Sequence, residues 1–167
     1  MSAASPDFLR LLNEHQPLLR RVARLYCPDA EERQDLYQEI VLQLWQAWPQ
    51  YRPGVAKVST WLYRVALNVA ITDLRRRTRA PTPARFGGAA PPEVPTPPPD
   101  CPDADDLAHL YRAIEQLSDV EKAFVLLYLE ERTYEEMADI LGITQNNVRV
   151  KMHRVQDKLR QLLPLTT

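Results

Sequence analysis

TYEEMADILGITQNNVRVKMHR, residues 133–154, holds two helix signals separated by a glycine. Thr133 with Glu136 three residues on is a reciprocal capping pair: hydroxyl and carboxylate each satisfy the other residue's orphan backbone amide. A short helix is predicted from there to Leu141, where Gly142 supplies the left-handed residue that ends it. A longer helix is predicted from about Thr144 to just before Pro164, with Val148, Met152, Val155, Leu159 and Leu162 recurring as its buried stripe. Short helix, glycine turn and longer helix make a helix-turn-helix. The outward positions are then Gln145, Asn146, Arg149, Val150, His153, Arg154 and Asp157. Arginine bonds guanine bidentately, and glutamine or asparagine does so with adenine, in the major groove. Lys151 and Lys158 are placed for phosphates.

Charge supports a local role for that helix. The chain of 167 residues has a formal net charge of −1. Residues 105–139 hold three Lys/Arg against ten Asp/Glu, whereas residues 140–167 hold five against one. Positive charge is thus concentrated on the helix that would meet DNA, and a near-neutral total limits indiscriminate binding to nucleic acid.

Working upstream, Ser118 with Glu121 forms a second capping pair, predicting a helix over about 119–130. Leu107, Leu110, Tyr111, Ile114 and Leu117 mark one face of the helix before it. Nine of the 15 prolines fall between Pro81 and Pro102, in a stretch that lacks the apolar content to fold. It reads as a linker over residues 79–104. As polyproline II it reaches up to ~80 Å, about 24 base pairs of B-DNA; such reach suits domains that touch separated sites on one partner, and it also suits a passive spacer. The amino-terminal segment is again helical in pattern. Phe8, Leu11, Leu12, Leu18, Leu19, Val22 and Tyr26 form a stripe broken at Pro17. Asp29 with Glu32 starts a helix that buries Leu36, Ile40, Leu44 and Trp48 and ends near Pro49, and Ser59 caps another running to about Thr78. The expected fold is all-α, with domains over 1–78 and 105–167.

Two segments of the first domain narrow the function: DLYQEIVLQLW (Asp35–Trp45) and STWLYRVALNVAITDLRRRTR (Ser59–Arg79). Together with residues 134–154 they resemble the bacterial RNA polymerase sigma factors of the sigma-70 family, in the small extracytoplasmic-function group that keeps only regions 2 and 4. The resemblance covers roughly residues 7–79 and 107–163. It implies a promoter-specificity subunit that binds core RNA polymerase, recognises −35 and −10 elements and aids melting. It implies that Asp35, Gln38, Glu39 and Gln43 dock on the β′ coiled coil, and that Arg64, Asn68, Thr72, Arg75 and Arg76 meet the melted −10 strand, with Asn68 on a base edge. The loop Tyr51–Val58 matches the flipped-base pocket, with Tyr51 to stack, Arg52 and Lys57 to hold phosphate and Gly54 to allow close approach. Trp61 and Tyr63 read as core or partly core residues, with stacking platforms as the alternative. Arg149, Val150, His153 and Arg154 match the −35 contacts, with Gln145, Asn147 and Lys151 beside them. The sequence departs from the family where Asn146 replaces a small residue and Val150 a usual serine; valine can touch a thymine methyl. The acidic surface of residues 105–139 suits the β flap or a regulator, and an anti-sigma factor is an implied partner.

Other classes fit less well. The amino terminus, MSAASPDF, has no apolar signal core, and no stretch approaches the ~18–20 apolar residues of a membrane span. The chain reads as cytoplasmic, with no membrane insertion. Cys27 and Cys101 have neither CxxC nor zinc-site spacing; a buried Cys27 and an exposed Cys101 are expected, with a redox pair as the alternative. No catalytic constellation, phosphate-cradling loop or metal-ligand cluster is present in the sequence, so neither enzyme activity nor a cofactor or metal is expected. The competing reading is a stand-alone helix-turn-helix regulator that binds duplex DNA without polymerase.

Overall fold

Ser5 opens the first helix: its hydroxyl accepts the Asp7 amide at 3.3 Å, and Pro6 occupies a first-turn position that needs no donor. The computed structural model describes residues 5–79 and 104–163. Among them the elements are eight α-helices and one 3₁₀ turn, with no strand. The chain divides into two compact units, Met1–Thr82 and Pro83–Thr167.

In the first unit α1 (Pro6–Glu14) and α2 (Gln16–Tyr26) meet at His15. The break expected at Pro17 falls two residues earlier, because Pro17 sits in the first turn of α2, where proline is tolerated. α3 (Ala30–Ala47) starts as expected, with the Asp29 carboxylate accepting the Glu32 amide at 2.9 Å. Leu36, Ile40 and Leu44 are buried, but Trp48 is half-buried and begins the 3₁₀ turn Trp48–Gln50. α4 (Val58–Arg79) begins one residue before the predicted cap. The Trp61 amide bonds to the Lys57 carbonyl at 3.2 Å, so Ser59 lies inside the first turn.

α2, α3 and α4 pack on one another around Leu19, Val22, Tyr26, Ile40, Leu44, Leu62, Tyr63 and Ala66. Tyr63 belongs to this core, as expected, and Trp61 is half-buried beside it. Two arginines tie the helices at one end. Arg33 donates to the carbonyls of Cys27 (3.0 Å) and Pro28 (2.7 Å), closing the α2–α3 turn. Arg77 donates to the Tyr26 carbonyl at 3.0 Å and to Asp73 at 2.8 Å, and lies 3.7 Å from Glu32. The Arg77 guanidinium thus fastens α4 to α2 and α3 instead of extending the positive end of the helix. Cys27 is buried among these groups, and burial raises its thiol pKa despite the opposing pull of Arg77. Cys101 lies outside the described residues.

Of the linker expected over 79–104, Arg79 ends α4 and Ala104 starts α5, while residues 80–103 lie outside those described. The second unit holds α5 (Ala104–Glu115), α6 (Asp119–Leu129), α7 (Tyr134–Leu141) and α8 (Gln145–Leu162). Both predicted capping boxes are formed, Ser118–Glu121 and Thr133–Glu136. Gly142 ends α7 at φ 68°, with its amide bonded to the Ala138 carbonyl, and Thr144 caps α8 by accepting the Asn147 amide. Phe124, Leu127, Met137, Val148, Met152 and Val155 are buried in this unit. Leu159 and Leu162, expected in the same stripe, are half-buried, as are Leu107, Leu110 and Tyr111 of α5.

Two substitutions test these assignments by urea unfolding of the full chain. Leu127→Ala is expected to cost about 2–5 kcal/mol, because a fully buried leucine leaves a cavity. Gly142→Ala is expected to cost roughly 1–2 kcal/mol: open space surrounds a built Cβ, so the cost comes from the left-handed backbone alone.

Candidate nucleic-acid and partner-binding faces

Burying Val148, Met152 and Val155 fixes what α8 turns outward. Gln145, Asn146, Asn147, Arg149, Val150, Lys151, His153 and Arg154 are all exposed. Asp157, also expected outside, is half-buried; it accepts from Arg160 at 3.0 Å, and its other carboxylate oxygen lies 3.0 Å from His153 Nδ1. Lys158, expected to meet phosphate, instead places its ammonium 2.8 Å from Glu121 Oε2 on α6. Among the described residues, Arg149, Lys151 and Arg154 have no ion-pair partner. The face therefore offers guanidinium, amide, imidazole and one apolar group, the chemistry that reads base edges in the major groove.

Glu121 carries three bonds at this junction. Its carboxylate accepts from the Ser118 amide and from Lys158, and its amide donates to the Ser118 hydroxyl. Burial by itself would raise its pKa, but the Lys158 and Ser118 hydrogen bonds outweigh that effect and hold it below the ordinary value.

On α4 the exposed residues include Arg64, Asn68, Thr72, Arg75 and Arg79. At about 100° per residue these five fall within an arc of roughly 80°, opposite the buried Leu62, Ala66 and Ala70. Arg76 stands apart from that line. It pairs with Asp73 at 3.0 Å and lines a cleft between α3 and α4. The cleft has a volume of about 300 Å³ and is also lined by Glu32, Asp35, Glu39, Asp73 and Arg77. Two of the four residues expected to dock a partner, Asp35 and Glu39, thus open on one acidic cleft. Gln38 is exposed, and Gln43 is half-buried with its amide donating to Glu39 at 3.0 Å.

The loop before α4 is held by aromatic contacts. Tyr51 stacks on Trp48 with ring centroids 5.5 Å apart and meets Trp61 at 4.9 Å, and Trp48 also touches Phe8. Tyr51 is half-buried, so its ring anchors the loop to the helical core. Arg52, Gly54 and Lys57 are exposed. Gly54 has φ 94° with open space around it, so the turn itself demands glycine. Val55 at the tip is 82% exposed.

Val55 escaped the sequence reading, as did an apolar groove between α1 and α3. The groove is lined by Phe8, Leu9, Leu12, Tyr37, Val41, Leu42 and Trp45. Leu42 falls between Gln38 and Asp35 around α3 and interrupts the polar stripe. The signal was present: Leu42 and Trp45 lie off the Leu36–Ile40–Leu44 row. The apolar run Phe124–Leu129 reads in sequence as wholly buried, but its last two residues, Tyr128 and Leu129, are exposed at the end of α6. Among the described residues no helix is long and apolar enough to cross a membrane.

Residues 11–80 match the family Sigma-70 region 2, and residues 107–159 match Sigma-70, region 4. The ECF RNA polymerase sigma factor SigE of Mycolicibacterium smegmatis is 29% identical over 164 residues, covering 96% of this chain and 63% of that protein. The RNA polymerase sigma factor CarQ of Myxococcus xanthus is 29% identical over 161 residues, covering 96% and 91%. The chain thus spans less than two thirds of SigE but most of CarQ. Among solved structures, the fold is similar to that of the sigma factor RpoE bound to the anti-sigma factor NepR from Bartonella quintana. There the TM-score is 0.70 at 21% identity, with 98% of this chain and 100% of that one covered. CnrH in complex with the cytosolic domain of CnrY gives a TM-score of 0.67 at 21% identity, covering 96% and 89%.

The depressed Glu121 carboxyl sets a pH dependence. A carboxyl held lower in the folded than in the unfolded chain stabilises fully above the unfolded value, and that contribution is lost as pH falls through the folded one. The second unit should therefore weaken below the ordinary value of 4.5. Glu121→Gln should lower the helical melting temperature at neutral pH and show a smaller further loss on acidification than wild type.

Proposed function

Because this chain belongs to the sigma-70 family, in its extracytoplasmic-function group, we propose that it is a promoter-specificity subunit which recruits core RNA polymerase and helps open promoter DNA. One observation carries the reading: two separate units each expose base-reading chemistry on one helix, α4 and α8. A stand-alone regulator needs only the second.

In this reading the first unit, over about residues 1–78, holds polymerase and the −10 element, and the second, over about 105–167, holds the −35 element. α8 enters the major groove, with Arg149 and Arg154 on base edges, Lys151 on phosphate, and Gln145 and Asn147 near the helix start. The Asn147 amide is taken by Thr144, so its side chain makes the contact. On α4, Asn68 bonds the edge of an unstacked −10 base while Arg64 and Arg75 follow the backbone and Thr72 lies between them. Arg52 and Lys57 add phosphate contacts from the loop, and Tyr51 supports that loop. Arg76 belongs with the polymerase-facing cleft, where it limits the charge of Asp35 and Glu39. Those carboxylates, with Gln38 and Gln43, suit a basic helical partner such as the β′ coiled coil, and the acidic α5–α7 surface suits the β flap.

The protein is then a binding subunit, and the chemistry of RNA synthesis belongs to its partner. It acts where the polymerase acts, in the cytoplasm. The anti-sigma complexes formed by proteins of the same fold support an anti-sigma factor as a further partner.

The test is size-exclusion chromatography of the full chain with bacterial core RNA polymerase. Stable co-elution is expected, lost on joint reversal of Asp35 and Glu39 to lysine. With holoenzyme formed, Asn68→Ala should lower open-complex formation on a responsive promoter about tenfold, with polymerase binding unchanged. Tight duplex binding by the chain alone, without co-elution, would establish the stand-alone regulator instead.

A further inference from the structure

Helix α2 carries Arg20, Arg21 and Arg24 and no acidic residue. Arg20 and Arg24 are exposed one turn apart, a like-charge spacing that weakens a helix. They face α3 across a pocket of about 170 Å³, whose far wall holds Arg33, Gln34 and Tyr37. No carboxylate lines it. The acidic residues at the start of α3 are engaged elsewhere: Asp29 accepts the Glu32 amide, and the Glu32 carboxylate lies 3.7 Å from Arg77. Three guanidinium groups thus share one small space with no carboxylate among them.

Two of the three are held in place. The Arg20 guanidinium sits 4.8 Å from the centroid of the Tyr37 ring, a cation–π contact that leaves its N–H groups available. Arg33 donates to the carbonyls of Cys27 and Pro28, which fixes its planar fork while other donors stay open. Arg24 has no hydrogen-bond or ion-pair partner among the described residues. A carboxylate would offset one of these charges. A phosphate group brings up to about two, with acceptor oxygens that guanidinium forks match.

We propose that the α2–α3 pocket binds a phosphate group, held by Arg20, Arg24 and Arg33. The group is either the phosphorylated end of a small molecule or a backbone phosphate of nucleic acid, and only the second source rests on the promoter-binding reading. The site is distinct from the α4 line, since Arg64, Asn68, Thr72 and Arg75 do not line it. A bound phosphate cancels the repulsion between Arg20 and Arg24 and joins α2 to α3, so binding stabilises the first unit.

The experiment has two arms. The first is thermal unfolding of the full chain followed by tryptophan emission, since Trp45, Trp48 and Trp61 all lie in the first unit. Millimolar sodium pyrophosphate is compared with sodium chloride of equal ionic strength. A small-molecule source predicts a midpoint about 5 °C higher in pyrophosphate. That rise should be lost in Arg24→Gln and kept in Arg21→Gln, whose side chain does not line the pocket. Arg24→Gln breaks no hydrogen bond or ion pair among the described residues, so it should itself melt within about 3 °C of wild type. The second arm is the salt dependence of promoter binding by reconstituted holoenzyme. A backbone source predicts little pyrophosphate shift and, in Arg24→Gln, a log–log slope smaller by about one. An unchanged slope, together with no pyrophosphate shift or one that ignores Arg24, overturns the proposal and leaves the promoter reading intact. Holoenzyme that binds no promoter, alongside an Arg24-dependent shift, overturns the promoter reading and leaves the pocket standing.

Discussion

One apolar stripe per helix governs this molecule. A helix that buries Val148, Met152 and Val155 has no choice about Arg149, Val150, His153 and Arg154, which must lie outside. The same rule on α4 buries Leu62, Ala66 and Ala70 and turns the Arg64–Asn68–Thr72–Arg75 line to solvent. Neither helix needs dedicated machinery to aim its polar residues. Their direction follows from the cores, and those cores depend on helices that begin and end at set residues. Thr133, Gly142 and Thr144 are therefore as consequential for the α8 face as the residues it displays.

Helix ends and faces were the most legible features, because their causes are local. A hydroxyl and a carboxylate three residues apart act within one turn, so both capping boxes and the Asp29 cap could be read from neighbours alone. What involved a second element was not legible. Nothing near Arg77 in sequence says that it will reach the Tyr26 carbonyl, and a run of arginines reads the same whether its members are free or fastened. Lys158 went the same way, bound by Glu121 from a helix that begins some 40 residues earlier. Tyr51 had the right chemistry for stacking, but only the fold reveals that its neighbours are Trp48 and Trp61. Leu42 was hidden for a different reason. A single leucine inside a polar stripe looks like noise until a groove forms beside it.

Charge is arranged on the same economy. Acidic residues stand at helix starts, where they accept backbone amides and complement the helix dipole, as Asp29, Glu121 and Glu136 do. Arginines are used in two distinct ways. Arg33 and Arg77 cap carbonyls at the ends of other segments, while Arg149 and Arg154, without an ion-pair partner among the described residues, lie on an exposed face. The acidic cleft of α3 and α4 and the cationic face of α8 are products of this placement, and they give a nearly neutral chain two surfaces of opposite character.

The aromatic cluster around the α4 loop has a spectroscopic consequence. All three tryptophans of the chain, Trp45, Trp48 and Trp61, lie in the first unit, and the second carries only tyrosine and phenylalanine. Indole emission excited at long wavelength thus comes entirely from one half of the molecule. Trp48 and Trp61 sit against Tyr51, where a change in the loop alters their packing, while Trp45 faces outward on α3. The protein carries an intrinsic optical probe for its first unit, and the second is dark to it.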